Sequence, residues 1–376
     1  MRILFYQWHS FMNRGIEKAF QQMNLAYDIL FFQQTDWEKD TGLVQLLEGK
    51  LKQQEYTMVF SINFAPIVSQ VCQEKKILYL SWVYDAPIHI REIRTLKNDC
   101  NRIFFFDRMQ AGQYQKEGIA AFHMPLAADT DMLTGRRISC RTDVSLVGKL
   151  YQTEYNYYCG PLNNYQRGYL EGLINAQMKV YGGYFLDDLL DEALLDGLNK
   201  SYLAASGGKA TISREELEYM LACEMTGRER YLALALLSAH FGVQLYSTDE
   251  DQRLSRVEYK GYADYYKQMP DVFAASRINL NISLKLIKSG IPLRVFDILA
   301  CRGFLLTNYQ SEMSEYFEPG IDFIIYESME DLYQKADFYL RHETEREKIA
   351  AHGYETVSRR YTFRQQLEKI LRAASE

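Results

Sequence analysis

In the stretch SGIPLRVFDILACRGFLLTN, residues 289–308, Arg294 and Asp297 sit three apart just after a proline, in an otherwise apolar run. Pro292 suits a first helical position, where its missing N–H costs nothing, and Gly303 suits the left-handed residue that closes a helix. A helix starting there presents free N–H groups and the positive end of its dipole, an anion site. Arg294 adds a fork suited to phosphate. Asp297 lies on the same face one turn on and can accept hydroxyl hydrogen bonds from a ribose. The alternative reading is a surface ion pair worth about 0.2–0.5 kcal/mol. His9, in FYQWHSF, is a side chain that acts as a base near neutral pH with little perturbation. Asp85 in VYDAP and Asp107 in FFDR end apolar runs, where a carboxylate serves as a base, orients a substrate or caps the next helix.

Metal chemistry finds little support. D-x-D occurs as Asp129–Asp131 and Asp249–Asp251, but each falls in an expected linker or loop, and 49 acidic residues make chance matches common. The six histidines are dispersed without H-E-x-x-H, and the six cysteines show no paired spacing. The expectation is no metal site, no disulfide framework and a reducing cytoplasm.

Elements must hold these side chains. RILFY (2–6), YDILFF, YTMVFSI, KILYLSW, RIFFFD and AFHMP are short apolar runs separated by helical segments such as NRGIEKAFQQM and GLVQLLEGKLKQQ. Strands alternating with helices predict parallel βαβ units with helices on both sheet faces. The polar stretch LAADTDMLTGRRISCRTD (126–143) reads as a linker. Residues 154–240 read as mostly helical, with a capping signal at Ser213. The α/β pattern resumes at GVQLYS (242–247) and runs through INLNIS, FLLTN and DFIIY to three closing helices.

The chain has 376 residues, enough for two domains. It is 47% hydrophobic and 24% charged with net charge −6, a soluble composition that argues against a general nucleic-acid binder. The longest apolar helical run, YLALALLSAHFGV (231–243), is too short for a bilayer, which needs about 20 residues. The first residues carry no signal-peptide pattern.

The motifs INLNIS, IPLRVFDILACRGFLLTN, YFEPGIDFIIYES and REKIAAHGYETVSRRYTFRQQL, in that order, resemble the C-terminal part of the CgeB-like (spore-maturation) glycosyltransferases, of GT-B fold. Weaker likeness extends over SWVYDAP (81–87), FFFDRMQ (104–110) and MPLAADTD (124–131). The resemblance implies two Rossmann-like domains facing a cleft: an acceptor-side domain at 1–130, a linker at 131–142, and a donor-nucleotide domain at 143–360 with a helical insertion at about 154–240. A C-terminal helix at 361–376 would pack back on the first domain.

The implied activity is transfer of a sugar from a nucleotide diphosphate sugar, with no other cofactor, to a glycan, protein or small-molecule acceptor. By position, Arg294 falls on the diphosphate and Asp297 on the ribose. Gly148 and Lys149 lie in the loop after the first donor-domain strand, Asn281 and Ser283 line the same crevice, and Tyr262 touches the base. His9 and Asp85 are the candidate catalytic groups on the acceptor side. Two departures stand out. Retaining members of the fold often carry two Glu residues separated by seven, and the first place falls on Ser289. The family usually has Gly where this chain has Arg302. A non-catalytic nucleotide-sugar or glycan-binding protein, or an epimerase of the same fold, is the alternative.

Overall fold

Ile3, Leu4, Phe5 and Tyr6 are fully buried in β1 (Arg2–Gln7), which opens the chain as the apolar run predicts. The computed structural model describes residues 1–88, 90, 93–133 and 142–374. Residues 134–141, most of the expected linker, lie outside the described residues, as do His89, Arg91 and Glu92. The chain forms two compact units.

Unit 1 comprises Met1–Asp131, Ser289–Ala300 and Glu355–Glu376. After β1 come α1 (Asn13–Gln22), β2 (Ala26–Phe31), α2 (Thr41–Gln53), β3 (Met58–Ile62), α3 (Pro66–Lys75) and β4 (Leu78–Val83). A 3-10 turn (Ile93–Lys97), β5 (Asn101–Phe105), α4 (Arg108–Lys116) and β6 (Ala121–His123) follow. The strands form one parallel sheet in the order β2-β1-β3-β4-β5-β6. β3 and β4 are almost wholly buried, which is why they read as continuous apolar runs rather than alternating ones.

Unit 2 comprises Met132–Lys288 and Cys301–Tyr354. β7 (Thr142–Val147) leads into five helices: α5 (Tyr155–Cys159), α6 (Asn164–Gln177), α7 (Leu186–Leu189), α8 (Glu192–Ser206) and α9 (Arg214–Ser238). These are the expected insertion, and their shared core includes Leu170, Leu198, Leu217 and Leu221. Ser213 caps α9 in a full capping box with Glu216, as its position predicted. Then come β8 (Val243–Tyr246), β9 (Glu258–Tyr259), α10 (Met269–Ala275) and β10 (Ser276–Asn281). α11 (Leu293–Ala300), β11 (Leu305–Asn308), α12 (Met313–Tyr316), β12 (Ile324–Tyr326), α13 (Met329–Arg341), α14 (Glu343–Arg360) and α15 (Phe363–Ala373) complete the chain. The second sheet is parallel, in the order β12-β11-β10-β7-β8-β9.

α11 and α15 group with unit 1. The Phe296 ring lies 6.0 Å from Tyr361. On α15, Phe363 lies 6.1 Å from Trp82 of β4, and Gln366 donates to Pro125 O at 3.0 Å. Gly15 of α1 permits this seat, because a Cβ there would sit 2.4 Å from the Phe363 ring.

The end of α11 corrects the capping expectation. The left-handed residue is Arg302 (φ 55°), and Gly303 does not have positive φ. The guanidinium of Arg302 lies 3.9 Å from the centre of the Tyr354 ring, an attraction that offsets the strain of a residue with a Cβ in that region. Arg302 thus occupies a place suited to glycine by conformation.

Candidate functional site

Each sheet has one place where the chain reverses its direction of winding, and open α/β sheets bind ligands beyond the strand ends there. In unit 2 the reversal falls between β7 and β10, since β8 lies on one side of β7 and β10 to β12 on the other.

Gly148 follows β7 with φ 149°, a conformation suited to glycine. A Cβ there would also meet Arg230 Nη1 at 3.0 Å. Arg230 comes from α9 and is buried. Its Nη1 donates to Lys149 O and its Nη2 to Ile282 O, so one guanidinium ties the loop after β7 to the loop after β10. The Arg230 guanidinium also lies 4.9 Å from the Tyr151 ring centre. Lys149 itself is exposed.

Beside Arg230, Glu229 is fully buried and pairs with Lys285 Nζ at 2.8 Å. Tyr326 donates to Glu229 at 3.2 Å, and Lys285 lies 4.7 Å from the Tyr181 ring centre. Burial raises the Tyr326 and Tyr181 hydroxyls well above the ordinary tyrosine range, so both are protonated donors at neutral pH. Thr226 accepts from Lys285 N at 2.9 Å. Thr226, Glu229 and Arg230 occupy one face of α9. Arg230, Lys285 and Glu229 thus lie close together around α9.

Asn281 and Ser283, expected in this crevice, lie at its β10 side and are buried. Asn281 Nδ2 donates to Thr307 Oγ1 at 2.9 Å and to Ser283 Oγ at 3.3 Å, and Ser283 N donates to Asn308 Oδ1 at 2.8 Å. Tyr262, 59% exposed, follows the edge strand β9. Asp249 accepts from Leu150 N at 2.8 Å, so this D-x-D carboxylate braces the β7 loop, while Asp251 pairs with Arg253 at 2.6 Å. In the other D-x-D, Asp131 pairs with Lys18. No group of three or more metal-type side chains occurs among the described residues.

The β7 loop lies directly on α9 at Gly227, where a Cβ would be 2.8 Å from both Leu150 O and Tyr151 O. Neither atom belongs to a flexible side chain. Gly227→Ala is therefore expected to displace the loop and destabilise the fold by about 1–3 kcal/mol, the usual penalty of overpacking. Urea unfolding checks the stability.

On α11, Arg294 is half-buried and Asp297 is 2% exposed. The residues just before it meet Asp107. Ser289 donates from N (3.0 Å) and Oγ (2.9 Å) to the Asp107 carboxylate, and Gly290 N donates at 3.2 Å. Asp107 also caps α4 through Gln110 N at 3.0 Å. Of the three roles open to Asp107, the geometry shows the cap. A Cβ on Gly290 would sit 2.9 Å from Asp107 Cα and Phe106 O, so glycine is needed for this approach.

In unit 1 the reversal falls between β1 and β3. A cavity of about 340 Å³ opens there, lined by Trp8, Trp37, Phe64, Val83 and Ile88, with Asn63 and Asp85 as its polar groups. Asn63 (φ 55°) accepts from Tyr84 N at 2.9 Å and donates to Asp85 Oδ2 at 2.6 Å. The side chain thus fixes both the β4 loop and the carboxylate. His9 does not line this cavity; it is exposed, with its ring 5.2 Å from Phe31.

Sequence reasoning found the loops but missed Glu229, Arg230 and Lys285. The available signal was the pair Glu229–Arg230 interrupting an apolar helix.

Residues 228–372 match a family model described as glycosyl transferase-like. A 70-residue stretch is 39% identical to the spore protein CgeB of Bacillus subtilis (strain 168) and spans 19% of this chain and 20% of that protein. A glycosyltransferase from Rickettsia africae superposes over 99% of this chain and 97% of its own, with TM-score 0.58 and 9% identity. Sucrose-phosphate synthase from Thermosynechococcus elongatus gives 0.55 at 9% identity over 99% and 98%. HepE of Anabaena in complex with UDP-glucose gives 0.54 at 9% identity over 100% and 99%. At such identities the structures establish the fold, GT-B, while the matched segment bears out the glycosyltransferase-like, CgeB-like resemblance.

Proposed function

We propose that this chain, glycosyl transferase-like over residues 228–372, transfers a glycosyl group from a nucleotide diphosphate sugar to an acceptor hydroxyl or other nucleophile without a divalent ion. The observation that carries the reading is the winding reversal between β7 and β10, where Arg230 ties the glycine-bearing loop to the loop after β10 beside the Lys285–Glu229 pair. A guanidinium and an ammonium beside a glycine-bearing loop suit a diphosphate. Gly148 lets backbone N–H groups approach the phosphates, Lys149 contributes charge, and Asn281 and Ser283 border the same loops. Arg294 on the diphosphate, Asp297 on the ribose and Tyr262 on the base carry over from the motifs that resemble the family. In the transfer, the acceptor oxygen attacks the anomeric carbon, the bond to the diphosphate oxygen breaks, and the acceptor proton passes to a base, for which Asp85 is proposed. The domains read from the sequence keep their proposed roles, 1–130 on the acceptor side and 143–360 on the donor side.

HepE is a complex with UDP-glucose, so uridine donors are the first to test here. The protein incubated with UDP-sugars and candidate acceptors should release UDP and form a glycosylated product, unaffected by EDTA. Turnover lost in EDTA and restored by manganese would overturn metal independence. Asp297→Asn should weaken UDP binding by about 1.5–3 kcal/mol, roughly 10- to 150-fold, while binding of a 2′,3′-dideoxy analogue stays nearly unchanged. Equal small losses for both ligands would make Asp297 a structural carboxylate. Ser289, bonded to Asp107 where an acid was expected, favours a second reading, nucleotide-sugar binding without transfer. Tight UDP binding with no product identifies that case.

A further inference from the structure

The cavity at the β1–β3 reversal in unit 1 has a composition that selects a ligand class. Its lining includes three aromatic residues together with a carboxylate and an amide that are hydrogen-bonded to each other at 2.6 Å. The Trp8 indole is fixed by its Nε1 donating to Ile62 O at 2.7 Å. Tyr84 stacks parallel to it at 6.4 Å and 8°, and Trp37 stands at 85° to it with centroids 5.2 Å apart. The two indoles therefore make a right-angled corner rather than a flat slot. At about 340 Å³ the space is at the small end of ligand pockets, which run from about 300 to 1,000 Å³.

A purely apolar ligand would offer nothing to Asn63 and Asp85, the polar part of the lining. A flat aromatic ligand would meet a corner. A pyranose ring has what the walls lack: C–H faces with positive character to lie on the negative face of an indole, and rim hydroxyls to donate to a carboxylate.

We infer that this cavity binds one sugar ring of the acceptor, with a C–H face against the Trp8–Trp37 corner and a hydroxyl donating to Asp85. The acceptor is then a carbohydrate. This rests on the proposed glycosyl transfer for its meaning but not for its detection, since sugar binding is measured without donor or turnover.

The chain has three tryptophans, Trp8, Trp37 and Trp82, and Trp82 is fully buried in β4. A ligand-induced change in intrinsic fluorescence therefore reports chiefly on the cavity. Titration of the full chain with methyl glycosides of common hexoses should give a saturable emission change for at least one, with a dissociation constant on the order of 1 mM, a typical weak affinity of about −4 kcal/mol. Trp37→Ala should abolish the response of Trp8 to that sugar. Asp85→Asn should weaken binding at least tenfold while both indoles still report. Trp8→Phe is a second wall variant for the case in which Trp37→Ala fails to fold. No response in a folded protein that binds UDP overturns the inference, as does the same response to choline, which would make the cavity a cation cage. Sugar binding without UDP release from any donor upholds the inference and sinks the proposed transfer. Transfer only to non-carbohydrate acceptors, with silent indoles, does the reverse.

Discussion

Arg230→Met is expected to lower the stability of the protein by about 3 kcal/mol, a fall of roughly 6–12 °C in melting temperature, and to abolish measurable nucleotide binding. The guanidinium makes two charge-assisted bonds, to Lys149 O and Ile282 O, each of a kind worth about 1.5–3 kcal/mol. Methionine restores part of the packing and neither bond, so two carbonyls lose their donor. These carbonyls belong to the loops after β7 and β10, the two that border the crevice. Arg230→Lys should fall between, because an ammonium point charge cannot span two carbonyls as a planar fork does. Urea unfolding gives the stability and calorimetry with UDP the affinity. If the stability of Arg230→Met stays within about 0.5 kcal/mol of wild type, the range of an ordinary surface substitution, and UDP binds normally, the guanidinium is not the tie between these loops.

Why Arg230 escaped sequence reasoning is a matter of what periodicity records. A helix in which Leu217, Leu221, Ala233 and Leu237 are all buried reads as core, and a charged pair within it reads as its solvated face. The burial of Glu229 and Arg230 depends on Lys285 and on two carbonyls far along the chain, which no local pattern contains. The same holds for Asp107 and Ser289, bonded across 182 residues. Ser289 was legible as a missing acid but not as a helix-cap partner.

The fold was more open. The inner strands of unit 1, β1, β3, β4 and β5, are apolar because parallel strands there are covered on both faces, and Ser213 announced α9 because a capping box is a local chemical event. The helix end at residues 302–303 was misread for a related reason. Glycine beside a helix end is a strong local signal, but Tyr354, distant in sequence, lets Arg302 take the left-handed position. The cavity of unit 1 was half legible: Asp85 was a candidate from its place after a strand, whereas Asn63, Trp8 and Trp37 acquire meaning only when the sheet order sets β1 against β3.

Asp85→Asn is expected to reduce glycosyl transfer by about 10²- to 10⁴-fold, the usual contribution of a positioned general base, while UDP affinity stays unchanged. Asn63 Nδ2, 2.6 Å from Asp85 Oδ2, orients the carboxylate, as the partner of a catalytic base must. The amide that replaces the carboxylate in this variant keeps the shape but cannot take a proton. A carboxylate base is disabled by protonation, so wild-type kcat/KM should fall on the acidic side of the profile, and that limb should be absent from the residual rate of the variant. His9→Gln should change the rate little, since His9 is exposed against Phe31 and does not line the cavity. The decisive measurement is the pair of pH profiles with one sugar acceptor and one UDP-sugar. A large loss in His9→Gln with near-normal turnover in Asp85→Asn would transfer the role of base to the histidine. Asp85 would then remain as a hydrogen-bond acceptor for the acceptor's hydroxyl, seen as a raised KM at unchanged kcat.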